Sequence, residues 1–205
     1  MATTESFKKR PSPDQLRAME RDLCFVPSQT LSPTELTRDQ VSDFNEHGFV
    51  KGHRLFDEDE IAGLRRHFDR LLADAMAAGG DSYSISSAHL KDGIIYDLMQ
   101  HPRLVSCAQD ILGPHVVGLA SQLFCKMPHD PVNICWHQDA SHWPLTPSKT
   151  ATVWLAIDDA DVENSCMRFI AGSHRHGHID YRQSDKAENN LFNQTALDAE
   201  HYGEC

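Results

Sequence analysis

No run of about 18 apolar residues occurs in this chain, so no segment has the composition of a membrane-spanning helix. Met1 to Arg10 likewise lacks the apolar stretch of a secretory signal. Basic residues are scarce: 19 Lys and Arg stand against 30 Asp and Glu, a net charge of −11. Such a surface repels phosphate backbones and anionic lipid, which disfavours nucleic acid and membranes as partners. The six cysteines contain no C-x-x-C pair and are irregularly spaced. That excludes a zinc ribbon or a dithiol motif and leads us to expect reduced thiols in a cytoplasmic protein. No internal repeat is present. H-E-x-x-H is also missing, so a zinc hydrolase built on His137 and Asp139 would lack its general base.

What remains is an ordinary globular composition, 40% apolar and 24% charged over 205 residues, enough for one domain with a core. Residues 1–36 read as an N-terminal arm and linker, polar at the start, with Ser12-Pro13 opening a short helix and Pro27 and Pro33 bracketing a connection. Residues 37–205 read as the domain. Thr37-Arg38-Asp39-Gln40 forms a capping box ahead of Val41 and Phe44 on one helical face, and Gly48 stops that helix. Asp57 to Ala78 is the clearest helix, with Ile61, Leu64, Phe68, Leu71, Leu72 and Met76 at helical spacing and Gly79-Gly80 after it. Pro102 to Gly113 predicts another, with Leu104, Val105, Ala108, Ile111 and Leu112 inward.

From Val116 the pattern changes. Val116–Lys126, Asn133–Asp139, Thr150–Ile157 and Cys166–Ile170 are short apolar or alternating runs separated by turn residues, which predicts strands of a sandwich or barrel. Helices first and antiparallel strands later indicate an α+β chain. Beyond His178 the sequence is polar, with little strand character.

Trp136-His137-Gln138-Asp139 carries the chemistry. Side chains at i and i+2 of a strand share a face, so His137 and Asp139 project together. An imidazole and a carboxylate so placed are two of the three ligands of the facial triad that holds non-haem Fe(II). An alternative for such a pair is a polar couple satisfied by hydrogen bonds. His174, His176 and His178 alternate in a turn and read as solvated, with a surface metal site as the alternative. Trp136 and Trp143 read as packing residues, and Cys125 and Cys135 as buried apolar thiols.

The pair does not stand alone. Cys125-Lys126-Met127-Pro128, Trp136-His137-Gln138-Asp139, Trp143-Pro144-Leu145, Thr150 to Ala156 with Trp154, and Ala171-Gly172-Ser173-His174 follow in order, and Asp43 to Val50 precedes them. This series resembles the phytanoyl-CoA dioxygenase-like family of Fe(II)- and 2-oxoglutarate-dependent oxygenases over about residues 41–194, with Ala171 where the family has Pro. The resemblance implies a double-stranded β-helix, a jelly roll, with His137 and Asp139 as iron ligands. It implies that Trp154, and with it Gln122, lines the 2-oxoglutarate pocket, although Trp154 taken alone reads equally as a core residue.

Fe(II) and 2-oxoglutarate are the implied cofactors, ascorbate a possible reductant, and O2 and a small molecule the implied substrates. Asp139 occupies the position where related halogenases carry a small residue, which favours hydroxylation. The family's distal His ligand, and the Arg that pairs with the far carboxylate of 2-oxoglutarate, have no counterpart after Gly172. His174, His176, His178 and His201, and Arg175 and Arg182, do not match those positions. The resemblance therefore implies a domain incomplete at its C-terminus, with impaired turnover. The alternative is a non-catalytic jelly-roll remnant or interaction module.

Overall fold

A computed structural model describes residues 11–205. Residues 1–10, part of the expected polar tail, lie outside the described residues. The first half of the chain is helical, and local sequence explains each start and stop. Helix α1 (Pro13–Ala18) begins with Pro after a Ser12–Gln15 capping box. Helix α2 (Arg38–His47) is opened by the reciprocal Thr37–Gln40 box and closed by Gly48 in the left-handed conformation, φ 89°. Helix α3 (Glu58–Ala77) starts on Asp57, whose carboxylate accepts from the Glu60 N–H at 2.8 Å. Replacing Asp57 with Ala is expected to lower stability by about 1 kcal/mol, the usual cost of a lost N-cap; urea denaturation measures it.

Helix α4 (Gly93–Met99) has no counterpart among the expected elements. It spans only seven residues, too short for a clear periodicity, and is started by the Asp92 side chain accepting from the Ile95 N–H at 2.9 Å. Helix α5 (Pro102–Leu112) follows with Pro at its first turn.

These helices build two apolar cores. In one, Leu36, Val41, Leu55, Phe56, Cys107 and Ile111 are buried together, with Ile61 and Leu155 packed against them. In the other, Phe68, Ile85, Ala88 and Ile95 are buried beneath Leu71, Leu72 and Ala75 of α3. The α3 stripe is thus covered as its spacing predicts, except for Met76, which is exposed. Its partner is the 85–95 segment and the extended stretches through Leu123, Cys125 and Ile157.

The arm is laced into this half. Leu16 and Leu36 are buried, and the Asp110 carboxylate at the end of α5 accepts from the Thr34, Glu35 and Leu36 N–H groups at 2.8, 2.8 and 2.9 Å.

The expected double-stranded β-helix is not what the described residues form. The only ladder among them is a two-stranded antiparallel sheet of β1 (Tyr181–Arg182) and β2 (Thr195–Ala196), in the polar region where little strand was expected. The four anticipated strands lack ladders with one another. Residues 121–125 touch 82–87 through three backbone bonds, from the Ser87, Leu123 and Cys125 N–H groups. Periodicity describes which face a strand would bury; a sheet also needs a neighbour in register.

Candidate metal centre

The Trp136–Asp139 segment is gripped from both sides. The Trp136 carbonyl accepts from the Ala196 N–H at 2.8 Å, on β2. The Cys135 N–H donates to Asn190 Oδ1 at 3.1 Å. Gln138 works in two directions: its amide N–H donates to the Gly177 carbonyl at 2.8 Å, and its Oε1 accepts from the Ile179 N–H at 2.7 Å. These ties hold Gln138 extended, at φ −113° and ψ 127°, so its neighbours project to a common side without a formal ladder. His137 Nε2 then lies 3.4 Å from Asp139 Oδ1.

Both side chains are oriented by a second partner. His137 Nδ1–H donates to the Cys135 carbonyl at 2.8 Å, which turns Nε2 toward Asp139. Thr152 Oγ1 donates to the other carboxylate oxygen, Oδ2, at 2.7 Å. A fixed tautomer and a hydrogen-bonded carboxylate are what ligands of a metal ion usually have around them. Burial works against the charged imidazole, but the Asp139 carboxylate and the Cys135 carbonyl outweigh it and raise His137 above the ordinary histidine value. His137 in turn holds Asp139 below the ordinary carboxylate value against its burial, with Thr152 adding to the effect. The donor types suit a divalent cation: one imidazole nitrogen and one anionic oxygen, each oriented by a second partner.

A cleft of about 120 Å³ adjoins His137, walled also by Phe49, Trp136, Arg168 and Phe169. Arg168 precedes Gly172, outside the stretch in which the resemblance places the pocket arginine. Its guanidinium lies over the Trp136 ring, 5.6 Å from the centroid, and donates to Cys205 Sγ at 2.7 Å. Its charge is thereby engaged by an aromatic face and a thiol.

Trp154 and Gln122 do not border this cleft, which corrects the expectation that they share a cavity with His137. Leu123, Cys125 and Ile157 face the α3 core, so alternation turns Gln122 and Trp154 away from it. Trp154 is 48% exposed. Gln122 is exposed as well, and its amide N–H donates to the Tyr83 carbonyl at 3.0 Å.

The histidines of the later turn are occupied elsewhere. His174 has Nε2 3.2 Å from the Asn45 carbonyl and packs edge-on against Phe25, ring centroids 4.4 Å apart. His176 packs on Tyr202 and His178 on Tyr181. Among the described residues no three His, Cys, Asp or Glu side chains are placed to hold one metal ion.

One more imidazole does approach. His142 ends a 3-10 helix that Asp139 begins, and its ring centroid is 6.3 Å from that of His137. Burial, then the neighbouring His137, lowers its affinity for a proton. The signal that could have found it is the three-residue spacing in Asp139-Ala140-Ser141-His142.

The family described as phytanoyl-CoA dioxygenase (PhyH) matches residues 44–202. An ectoine dioxygenase of Bordetella parapertussis is 28% identical over 154 residues, covering 68% of this chain and 50% of its own length. The peroxisomal phytanoyl-CoA dioxygenase of Rattus norvegicus is 24% identical over 176 residues, 74% of this chain and 52% of its own. A probable alpha-ketoglutarate-dependent hypophosphite dioxygenase of Stutzerimonas stutzeri is 22% identical over 166 residues, 73% and 58% respectively. The chain thus spans about half the length of the curated relatives it matches. No solved structure matches it. The span of the match, with the His137–Asp139 pair inside it, places this chain in the phytanoyl-CoA dioxygenase family of Fe(II)- and 2-oxoglutarate-dependent oxygenases.

Proposed function

We propose that this chain supplies the iron-binding segment of a dioxygenase that hydroxylates a small molecule, with His137 and Asp139 as metal ligands. The observation that carries the reading is the 3.4 Å approach of His137 Nε2 to Asp139 Oδ1, with the outward atoms of both groups already satisfied. Bound Fe(II) with 2-oxoglutarate supplies the oxidising power for C–H hydroxylation.

The residues do the rest. The Cys135 carbonyl keeps the imidazole proton on Nδ1, Thr152 holds the carboxylate, and Gln138 fixes the backbone between them. Phe192 lies against the His137 ring, centroids 4.8 Å apart, and limits water on that side. Asp139 occupies an anionic ligand position, which supports hydroxylation over halogenation. The full jelly roll, like the small-molecule substrate, is part of this proposal. Six cysteines with free thiols support a cytoplasmic setting.

Two measurements test the reading. Co(II), standing in for Fe(II), is expected to bind the 205-residue polypeptide and to lose affinity by at least about tenfold in His137→Ala and Asp139→Ala. Binding equal to the parent in both variants removes the pair from the metal site. Turnover by these residues is expected to be near background. The Arg168 charge is engaged by Trp136 and Cys205, and a missing charge-assisted bond to the far carboxylate costs about 1.5–3 kcal/mol, one to two decades of 2-oxoglutarate affinity. Succinate release with Fe(II), ascorbate and 2-oxoglutarate checks it; rapid turnover contradicts it.

A further inference from the structure

The turn that begins at Asp139 is weakly closed from within. Its 3-10 helix ends on a bond of 3.4 Å from the Trp143 N–H to the Ala140 carbonyl, longer than the usual range. The N-terminal arm closes it from outside. Arg21 Nη1 donates to the Ala140 carbonyl at 2.8 Å and to the Trp143 carbonyl at 2.7 Å. Both bonds are charge-assisted, the stronger kind. Arg21 Nε is buried with no partner among the described residues. A bare buried donor is costly, so the two carbonyl bonds are what hold the guanidinium in this place. The next residue adds two ties. The Asp22 N–H donates to Thr146 Oγ1 at 3.0 Å, and the Asp22 carbonyl accepts from the Ser148 N–H at 2.8 Å.

These four bonds fall on one loop. It leaves Asp139 and returns as Thr152, whose hydroxyl holds Asp139 Oδ2 with 13 positions between donor and acceptor. Bringing such ends together costs chain entropy unless the loop is already fixed. Arg21 and Asp22 fix it at Ala140, Trp143, Thr146 and Ser148. The arm is itself anchored beyond them, where the Ser28 N–H donates to Asn45 Oδ1 of α2 at 2.8 Å. We propose that Arg21 is a positioning residue for Asp139, holding the loop carbonyls so that the carboxylate stays set for a metal ion. This rests on the reading of Asp139 as a metal ligand. It adds to that reading a residue outside the stretch 44–202 that matches the family. Arg21 acts through the Ala140 and Trp143 carbonyls and contributes no donor to the metal.

The test is a Co(II) titration of the full 205-residue chain, followed by visible absorption, with metal-free amide exchange beside it. Arg21→Gln is expected to weaken Co(II) binding by at least about tenfold, the loss that an outer partner of a ligand causes. It is also expected to shift the ligand-field bands, which report coordination geometry. Arg21→Lys keeps a cation that can donate to both carbonyls and is expected to recover most of the affinity and the parent spectrum. Without metal, Arg21→Gln is expected to speed exchange at the Ser141 and Ser148 amides while those of α3 and α5 keep the parent rates. Thr146→Val removes only the acceptor of the Asp22 N–H; it is expected to move every readout the same way by less, and it decides if Arg21→Gln does not fold. Parent-like binding, spectrum and loop exchange in the folded variant overturn the proposal. So does weaker binding that comes with faster exchange throughout α3 and α5 and no recovery in Arg21→Lys, because that is a general loss of stability. In either case, loss of binding in Asp139→Ala leaves the underlying metal reading intact. If the parent fails to bind, or Asp139→Ala binds as the parent does, that reading falls and the inference with it.

Discussion

Asp110→Ala is expected to destabilise the protein by about 3 kcal/mol or more, among the largest effects of any single substitution in this chain. Asp110 is only 4% exposed, and its carboxylate accepts from three successive backbone N–H groups, those of Thr34, Glu35 and Leu36. Its own carbonyl takes the Ser28 hydroxyl at 2.8 Å. A carboxylate in the last turn of a helix is opposed by the helix dipole, at a cost of about 0.3–1 kcal/mol. Three charge-assisted bonds at about 1.5–3 kcal/mol each, even heavily discounted for non-additivity, exceed that several-fold. The substitution leaves the donors bare beside buried Leu36. Asp110→Asn keeps the shape but turns one N–H donor toward another, so an intermediate loss is expected. Urea denaturation of the two variants decides: a loss below about 1 kcal/mol for Ala would mean that water replaces the carboxylate freely.

Gly48→Ala is expected to cost about 2–4 kcal/mol, from two separable sources. The residue sits at φ +89°, where an L side chain is strained. A Cβ there would also stand 2.5 Å from His174 Nδ1 and 2.7 Å from its Cγ. His174 has little room to retreat, being held between the Asn45 carbonyl and the Phe25 ring. Gly52 provides the comparison. It has φ +72° and nothing within 4 Å of an added methyl, so Gly52→Ala should cost only the backbone strain of about 1 kcal/mol. The difference between the two isolates the collision with His174. Equal losses in thermal melts would show that the turn simply moves aside.

That junction explains why two motifs far apart in sequence belong together. The Gly172 N–H donates to the His47 carbonyl at 3.0 Å, which docks the Ser173–His176 turn on the end of α2. Gly48 of the first motif and His174 of the second are two sides of one contact. Neither residue's partner is legible in the sequence, although both residues are.

Legibility follows the range of the forces. The starts of α1, α2 and α3 are plain because a capping box closes within four residues. The His137–Asp139 approach is plain because an extended residue between them suffices. Asp110 is hidden because a carboxylate on an amphipathic helix reads as solvent-facing; only the arm, 74 to 76 residues away, reveals its use. Gln122 and Trp154, placed in the pocket by resemblance, lie away from the cleft because Leu123, Cys125 and Ile157 turn to the α3 core, a partner no local motif names. The pairing that a β-helix needs is likewise not legible. Strand pairing is a property of two segments, and the partners of residues 150–157 and 166–170 are not within them.

The uneven distribution of backbone hydrogen bonds implies two regimes of amide exchange. Amides inside α2, α3 and α5 sit behind cooperative helical ladders and the two apolar cores, so they open only with much of the fold. Amides of residues 150–157 have, beyond the Thr150 N–H bond to Ser148, no backbone acceptor among the described residues. Deuterium therefore enters the Thr152 stretch far sooner than the helices, and the chain is best pictured as a slowly opening helical base carrying a faster-breathing margin in which the carboxylate of Asp139 finds its hydroxyl partner.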